Sequence, residues 1–179
     1  MGRLKERKNN RLRGFDYSTP GWYFVTVCVQ DMDCVLGEVI DRQMVLNEAG
    51  RITEKCWLDL PNHYDNCKLD YMVVMPNHVH GIVIVTKVGT GLKPVPTENG
   101  TSLKQVSTDK YSLSEIIRGF KTFSSRCING SGKYFRWQRS FYDHIIRFEK
   151  NELENIQRYI MQNPTKWEFE RNNAKSLWC

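Results

Sequence analysis

The sequence predicts an α+β fold: one domain in which helices cover an antiparallel sheet. Two observations carry this. Strand-like and helix-like runs follow the order strand, helix, two strands, helix, strand, helix, and runs of this kind pack as a sheet layered with helices. The two middle strands, "KLDYMVVM" and "HVHGIVIV", are joined only by a Pro-Asn turn, so they pair antiparallel. The order resembles a ferredoxin-like core, and 179 residues suit a single domain, 1–179, that can bury a real core.

Each element has its own signal. "GWYFVTVCVQD" (21–31) follows Pro20 and is rich in β-branched and aromatic residues, as a strand requires. "QMVLN" is a short piece able to pair locally. In "NEAGRITEKCWLDLPNHY", Ile52, Cys56 and Leu60 recur at helical spacing, and Pro61 is expected to end the helix. Residues 87–110 are rich in Gly, Pro, Thr and Lys without periodicity, which predicts a flexible inserted surface loop.

"SLSEIIRGFKTFSSRCI" (112–128) predicts an amphipathic helix capped by Ser112 or Ser114, with Leu113, Ile116, Ile117, Phe120 and Phe123 as its apolar face. "SFYDHIIRF" (140–148) reads as a strand. "NELENIQRYIMQNP" (151–164) reads as a helix with Leu153, Ile156 and Ile160 inward and Pro164 at its end.

Composition narrows the function classes. Apolar residues make up 40% of the chain and charged residues 26%, as in ordinary globular proteins. No run of about 18 apolar residues predicts a membrane span. The basic N-terminus has no apolar segment directly behind it, so it is not read as a secretory leader, and a cytoplasmic location is expected. The six cysteines form no C-x-x-C pair, which argues against a zinc ribbon or a disulfide framework. They are expected to be mostly buried thiols in a reducing compartment.

The formal net charge of +6 favours a polyanionic partner. Residues 1–20 form a basic N-terminal arm. In "KYFRWQRSF", Lys133, Arg136 and Arg139 interleave with Tyr134, Phe135 and Trp137. Cations beside rings suit single-stranded or hairpin nucleic acid, although each ring is also a candidate for the core. Arg118, Lys121 and Arg126 on the 112–128 helix, with Lys133, Arg136, Trp137 and Arg139, are the DNA-binding candidates.

His78 and His80 stand two apart on a strand and therefore project from the same face. Two imidazoles on a rigid strand can chelate one divalent ion, or can be a pair of structural histidines. Tyr159 and Asn163, four apart on the last helix, share a face and offer a nucleophile and an oxygen ligand. Imidazole with oxygen accommodates magnesium or manganese. Tyr142 is the rival nucleophile, though Phe141 and Ile145 beside it suggest that it packs.

"MPNHVHGIV", "FKTFSSRCIN", "WQRSFYDHIIR" and "RYIMQNPTKW" occur in that order. Together they resemble the single-tyrosine HUH transposases, most closely the REP-associated tyrosine transposases, from about Gly21 to Trp167. The resemblance implies an HUH endonuclease core with His78 and His80 as metal ligands and Tyr159 as the nucleophile. It also places Asn163 where classical relatives carry a glutamine ligand, with Gln162 adjacent. His144 falls on a family motif as well. The implied substrate is single-stranded DNA folded into hairpins, nicked through a 5′-phosphotyrosine by a monomer or homodimer. The alternatives are a transposase-derived hairpin binder that no longer cuts and a metal-dependent hydrolase of small phosphoesters.

Overall fold

The computed structural model describes residues 15–87, 92–97, 100–105, 111–132 and 134–172. In chain order the elements are β1 (Gly21–Cys28), β2 (Gly37–Ile40), β3 (Gln43–Leu46), α1 (Glu48–Leu58), α2 (Leu60–His63), β4 (Cys67–Val74) and β5 (His78–Val85). They continue with β6 (Leu92–Thr97), β7 (Gly100–Gln105), α3 (Leu113–Gly130), β8 (Tyr142–Ile146) and α4 (Glu152–Asn172). The main sheet has the order β4-β5-β1-β8 with every neighbour antiparallel. That is the ferredoxin-like arrangement expected from the element order.

Helices lie on both faces of this sheet because β5 is apolar on both. Alternate residues Val79, Val83 and Val85 join Tyr23, Val25, Trp57, Ile116, Ile117 and Phe120 in the larger core under α1 and α3. On the opposite face, Ile82, Ile146 and Ile160 form a smaller core with Phe24, Leu153 and Ile156 under α4. Gly81 lets Trp57 approach the strand closely: a Cβ there would stand 2.4 Å from the indole ring.

Local chemistry sets the ends of the helices. Asn47 caps α1 by accepting from the Gly50 amide at 3.0 Å. Ser112, of the two serines considered, caps α3 in a reciprocal box with Glu115. Pro61 does not end a helix as expected; it sits in the first turn of the short α2, where its missing N–H costs nothing. Phe123, assigned to the apolar face of α3, is instead 47% exposed and lies 5.7 Å from the His63 ring.

Pro164 also departs from expectation, for it lies inside α4 and the helix runs on to Asn172. Proline forfeits one backbone hydrogen bond in a helix interior. Buried Ile160, Asn163 and Pro164 hold the helix against the sheet on one side of the break. Beyond it, Trp167 packs 5.8 Å from the His78 ring, and Glu168 approaches Arg42 of the β2–β3 turn at 4.0 Å. Within the segment expected to be a loop, β6 and β7 pair as a hairpin.

Of the described cysteines, Cys28, Cys56 and Cys67 are buried thiols outside any disulfide, as expected, whereas Cys34 and Cys127 are exposed. Among the described residues no helix is long and apolar enough to cross a membrane.

Candidate active site

His78 and His80 share the β5 face that looks at α4, and their ring centroids are 4.4 Å apart. Each ring is fixed through its δ nitrogen. Nδ1 of His78 lies 2.6 Å from Oδ1 of Asn77, whose amide nitrogen is itself committed to the Met32 carbonyl at 3.1 Å. With that amide orientation, Nδ1 carries the proton and Nε2 the lone pair. Nδ1 of His80 lies 2.8 Å from the Thr26 hydroxyl, directly across the β1–β5 pair. Hydrogen bonds to δ nitrogens with ε nitrogens left for an ion are the arrangement of metal-ligating histidines.

Burial keeps both rings neutral. His78 and His80 are 8% and 6% exposed. Desolvation pushes the His78 pKa down to about 4, partly opposed by a hydrogen bond with Asn163. Desolvation, reinforced by His78, pushes His80 down to about 2. A neutral imidazole is the metal-binding form.

α4 brings the remaining groups. The Tyr159 hydroxyl stands 3.4 Å from Nε2 of His80, with its ring edge-on to Phe24 at 6.0 Å. Asn163, one turn on, is 6% exposed and lines the cleft with His78, whose pKa it raises. Gln162 is exposed and lies outside the cleft, so of the two amides Asn163 faces the histidines. The cleft has a volume of about 350 Å³, and its walls include Thr26, Gln138, Tyr142, Lys166 and Trp167.

One side chain differs from expectation here. Tyr142 does not pack away; it is 51% exposed and lines the same cleft. Its strand partner is Thr26, which pairs in turn with His80. Tyr142 thus starts two strands, about 10 Å, from the histidine backbone. His144 lies outside the cleft: its Nε2 meets Glu152 at 2.6 Å, while the other carboxylate oxygen accepts from the Arg147 amide at 2.7 Å. That pair fastens the start of α4.

Among the described residues no three His, Cys, Asp or Glu side chains cluster. The candidate donors that line the cleft together are the imidazoles of His78 and His80 and the Asn163 amide. This set fits a divalent ion held by imidazole and amide oxygen, with open positions for a substrate.

No family model matches the chain. An uncharacterised protein of Haemophilus influenzae is 35% identical over 167 residues, covering 92% of each chain. A solved REP-associated tyrosine transposase bound to a REP hairpin superposes with a TM-score of 0.52 at 20% identity, over 94% of this chain and 88% of that one. The chain belongs to one family with the Haemophilus influenzae protein and has the fold of a REP-associated tyrosine transposase.

The transposase fold carries a second feature beside the cleft. A groove of about 930 Å³ runs between α3 and residues 134–141, lined by Arg118, Lys121, Arg126, Arg136 and Arg139. Gln138 stands in the walls of both the groove and the cleft, so the two adjoin. Lys121 has a structural task as well: its ammonium donates to the carbonyls of Gln138 at 2.8 Å and Ser140 at 2.6 Å.

Trp137 is a correction. It is 8% exposed, donates to the Ser124 hydroxyl at 2.9 Å and packs on Phe120 and Phe135. Its ring belongs mainly to the core and reaches the groove wall with little exposed surface. Tyr134, 82% exposed with Arg136 at 5.9 Å, is the free ring of that segment. Lys133 and residues 1–14 of the basic arm lie outside the described residues.

Sequence reasoning missed Thr26, Asn77, Gln138, Lys166 and Trp167. Asn77 directly precedes the first histidine and was findable. Thr26 and Gln138 reach the site only through strand pairing and chain packing. Lys166 and Trp167 were hidden by the expectation that Pro164 ends the helix.

Proposed function

We propose that the chain is a metal-dependent single-stranded DNA endonuclease and strand transferase that nicks beside hairpins through a 5′-phosphotyrosine intermediate. The observation that carries this is the Tyr159 hydroxyl 3.4 Å from Nε2 of His80, in a cleft adjoining an arginine-lined groove. The fold shared with a transposase bound to a REP hairpin supports hairpin DNA as the partner.

His78, His80 and Asn163 would hold magnesium or manganese, which when bound supplies a positive charge to the non-bridging oxygens of the scissile phosphate. Tyr159 attacks phosphorus through its phenolic oxygen. The bond to the departing 3′-oxygen breaks, that oxygen takes up a proton from water and leaves as a 3′-hydroxyl, and the 5′-phosphate stays on the tyrosine. Where the His80 lone pair would hold the ion, it would not be available as a base, and the phenolic proton would pass to water. Attack by another 3′-hydroxyl on the phosphotyrosine restores Tyr159 and joins the strands.

Tyr159 and His80 meet within one chain, which favours a site complete in a monomer. The buried thiols outside any disulfide suit a cytoplasmic protein.

The test is a covalent-adduct assay with labelled single-stranded hairpins from the DNA flanking the gene, in magnesium or manganese. A metal-dependent adduct lost in Tyr159→Phe is expected. An adduct that survives Tyr159→Phe and disappears in Tyr142→Phe moves the nucleophile to β8. Hairpin binding without an adduct in either metal overturns the endonuclease in favour of a binder that does not cut.

A further inference from the structure

The helix that carries Tyr159 does not stop at Pro164, and its continuation places Lys166 in the cleft. Tyr159, Asn163 and Lys166 recur at helical spacing and so share a face. The Lys166 ammonium sits 4.8 Å from the centroid of the Tyr159 ring. Among the described residues it has no carboxylate partner.

The cleft lining includes no Asp or Glu, and its two histidines are buried. Lys166 is the one Lys, Arg, Asp or Glu in the lining. A phosphodiester brings a negative charge, which spreads over its outer oxygens as the tyrosine attacks. Besides any ion held by His78, His80 and Asn163, Lys166 is the only lysine or arginine in the lining placed to offset that charge. A lysine is a compact cation on a flexible stem, suited to following it.

We infer that Lys166 binds the phosphodiester attacked by Tyr159 and is a catalytic residue for its cleavage. This rests on the endonuclease reading of the cleft. The bland alternative is that the lysine stem merely covers the Tyr159 ring.

Lys166→Met separates the two, because it keeps an unbranched apolar cover without the charge. Lys166→Arg keeps the charge. Single-turnover adduct formation is measured on labelled hairpin oligonucleotides with a single-stranded extension, alongside hairpin affinity and melting temperature.

Lys166→Met is expected to slow adduct formation by about 100-fold, the usual effect of removing one donor to developing charge. Lys166→Arg should stay within about tenfold of the unsubstituted protein. Hairpin affinity should fall no more than a few-fold, since one cation is lost among several. In metal-free buffer, the affinity gained by extending the oligonucleotide through the scissile phosphate should shrink in Lys166→Met.

An unslowed Lys166→Met variant overturns the role of Lys166 while leaving the endonuclease intact. Equal slowing in both variants with a lowered melting temperature also overturns it, in favour of a structural contact. No adduct from the unsubstituted protein overturns the endonuclease reading, and the role of Lys166 with it.

Discussion

The Tyr159 hydroxyl lies 3.4 Å from Nε2 of His80, although the two residues are 79 positions apart in the chain. The contact joins the tyrosine helix α4 to the buried strand β5. Its chemistry depends on how each partner is held, and that dependence can be measured.

The tyrosine comes first. Tyr159→Phe removes only the hydroxyl and leaves the ring against Phe24 and His80. Adduct formation should disappear on denaturing gels, while hairpin affinity and melting temperature stay close to the starting values. Tyr142→Phe should retain the adduct.

The hydrogen bonds behind the histidines should control the ion. Thr26→Val keeps the strand and the shape but leaves Nδ1 of His80 without its 2.8 Å partner. Loss of such a supporting bond typically weakens metal binding by about 10- to 100-fold. Titration with manganese, in the presence of hairpin DNA to supply phosphate oxygens, should show that weakening. Unchanged affinity would remove Thr26 from the metal site.

The groove should respond residue by residue. Arg118→Ala and Arg139→Ala should each reduce the slope of log affinity against log salt by about 1 if each arginine meets one phosphate. Lys121→Ala should act differently, because its ammonium ties the Gln138 and Ser140 carbonyls to α3. A lowered melting temperature should accompany its loss of affinity.

Stability should fall on acidification of the metal-free protein. His78 and His80 are neutral when folded, with pKa values of about 4 and about 2 against 6.5 for the free side chain. Above pH 6.5 both states are neutral and the pair contributes no pH dependence. Below it the unfolded chain takes up protons first, so stability drops, by up to about 1.4 kcal/mol per pH unit for each histidine. The His78 contribution levels off near pH 4 and that of His80 near pH 2. Urea unfolding in chelator between pH 7 and pH 5 should show the decline, and replacing both histidines with asparagine should flatten it.

Much of the molecule was legible from local pattern. The β4–β5 pair, the amphipathic α3 with its Ser112 cap and the α+β class follow from periodicity and turn chemistry, which act over a few residues. His78 and His80 share a face because strand side chains alternate. Tyr159 and Asn163 share one because a helix repeats every few residues.

Pattern failed where packing overrode local preference. Pro164 reads as a stop, yet burial of Ile160 and Asn163 and the contact of Trp167 with His78 hold α4 through it. Trp137 reads as either a base-stacking or a core ring, and packing decides for the core, where its indole donates to Ser124. Tyr142 reads as packed, yet the edge position of β8 leaves it open to the cleft.

The sequence by itself determined the element order, the paired imidazoles and the basic character of α3 and the 134–141 segment, because these depend on neighbours along the chain. Only the tertiary structure decided that α4 lies over the histidine face, that Asn163 rather than Gln162 looks inward, and that Lys166 stands above the tyrosine. Those placements depend on which apolar surfaces bury one another across the sheet, a choice set by the whole fold.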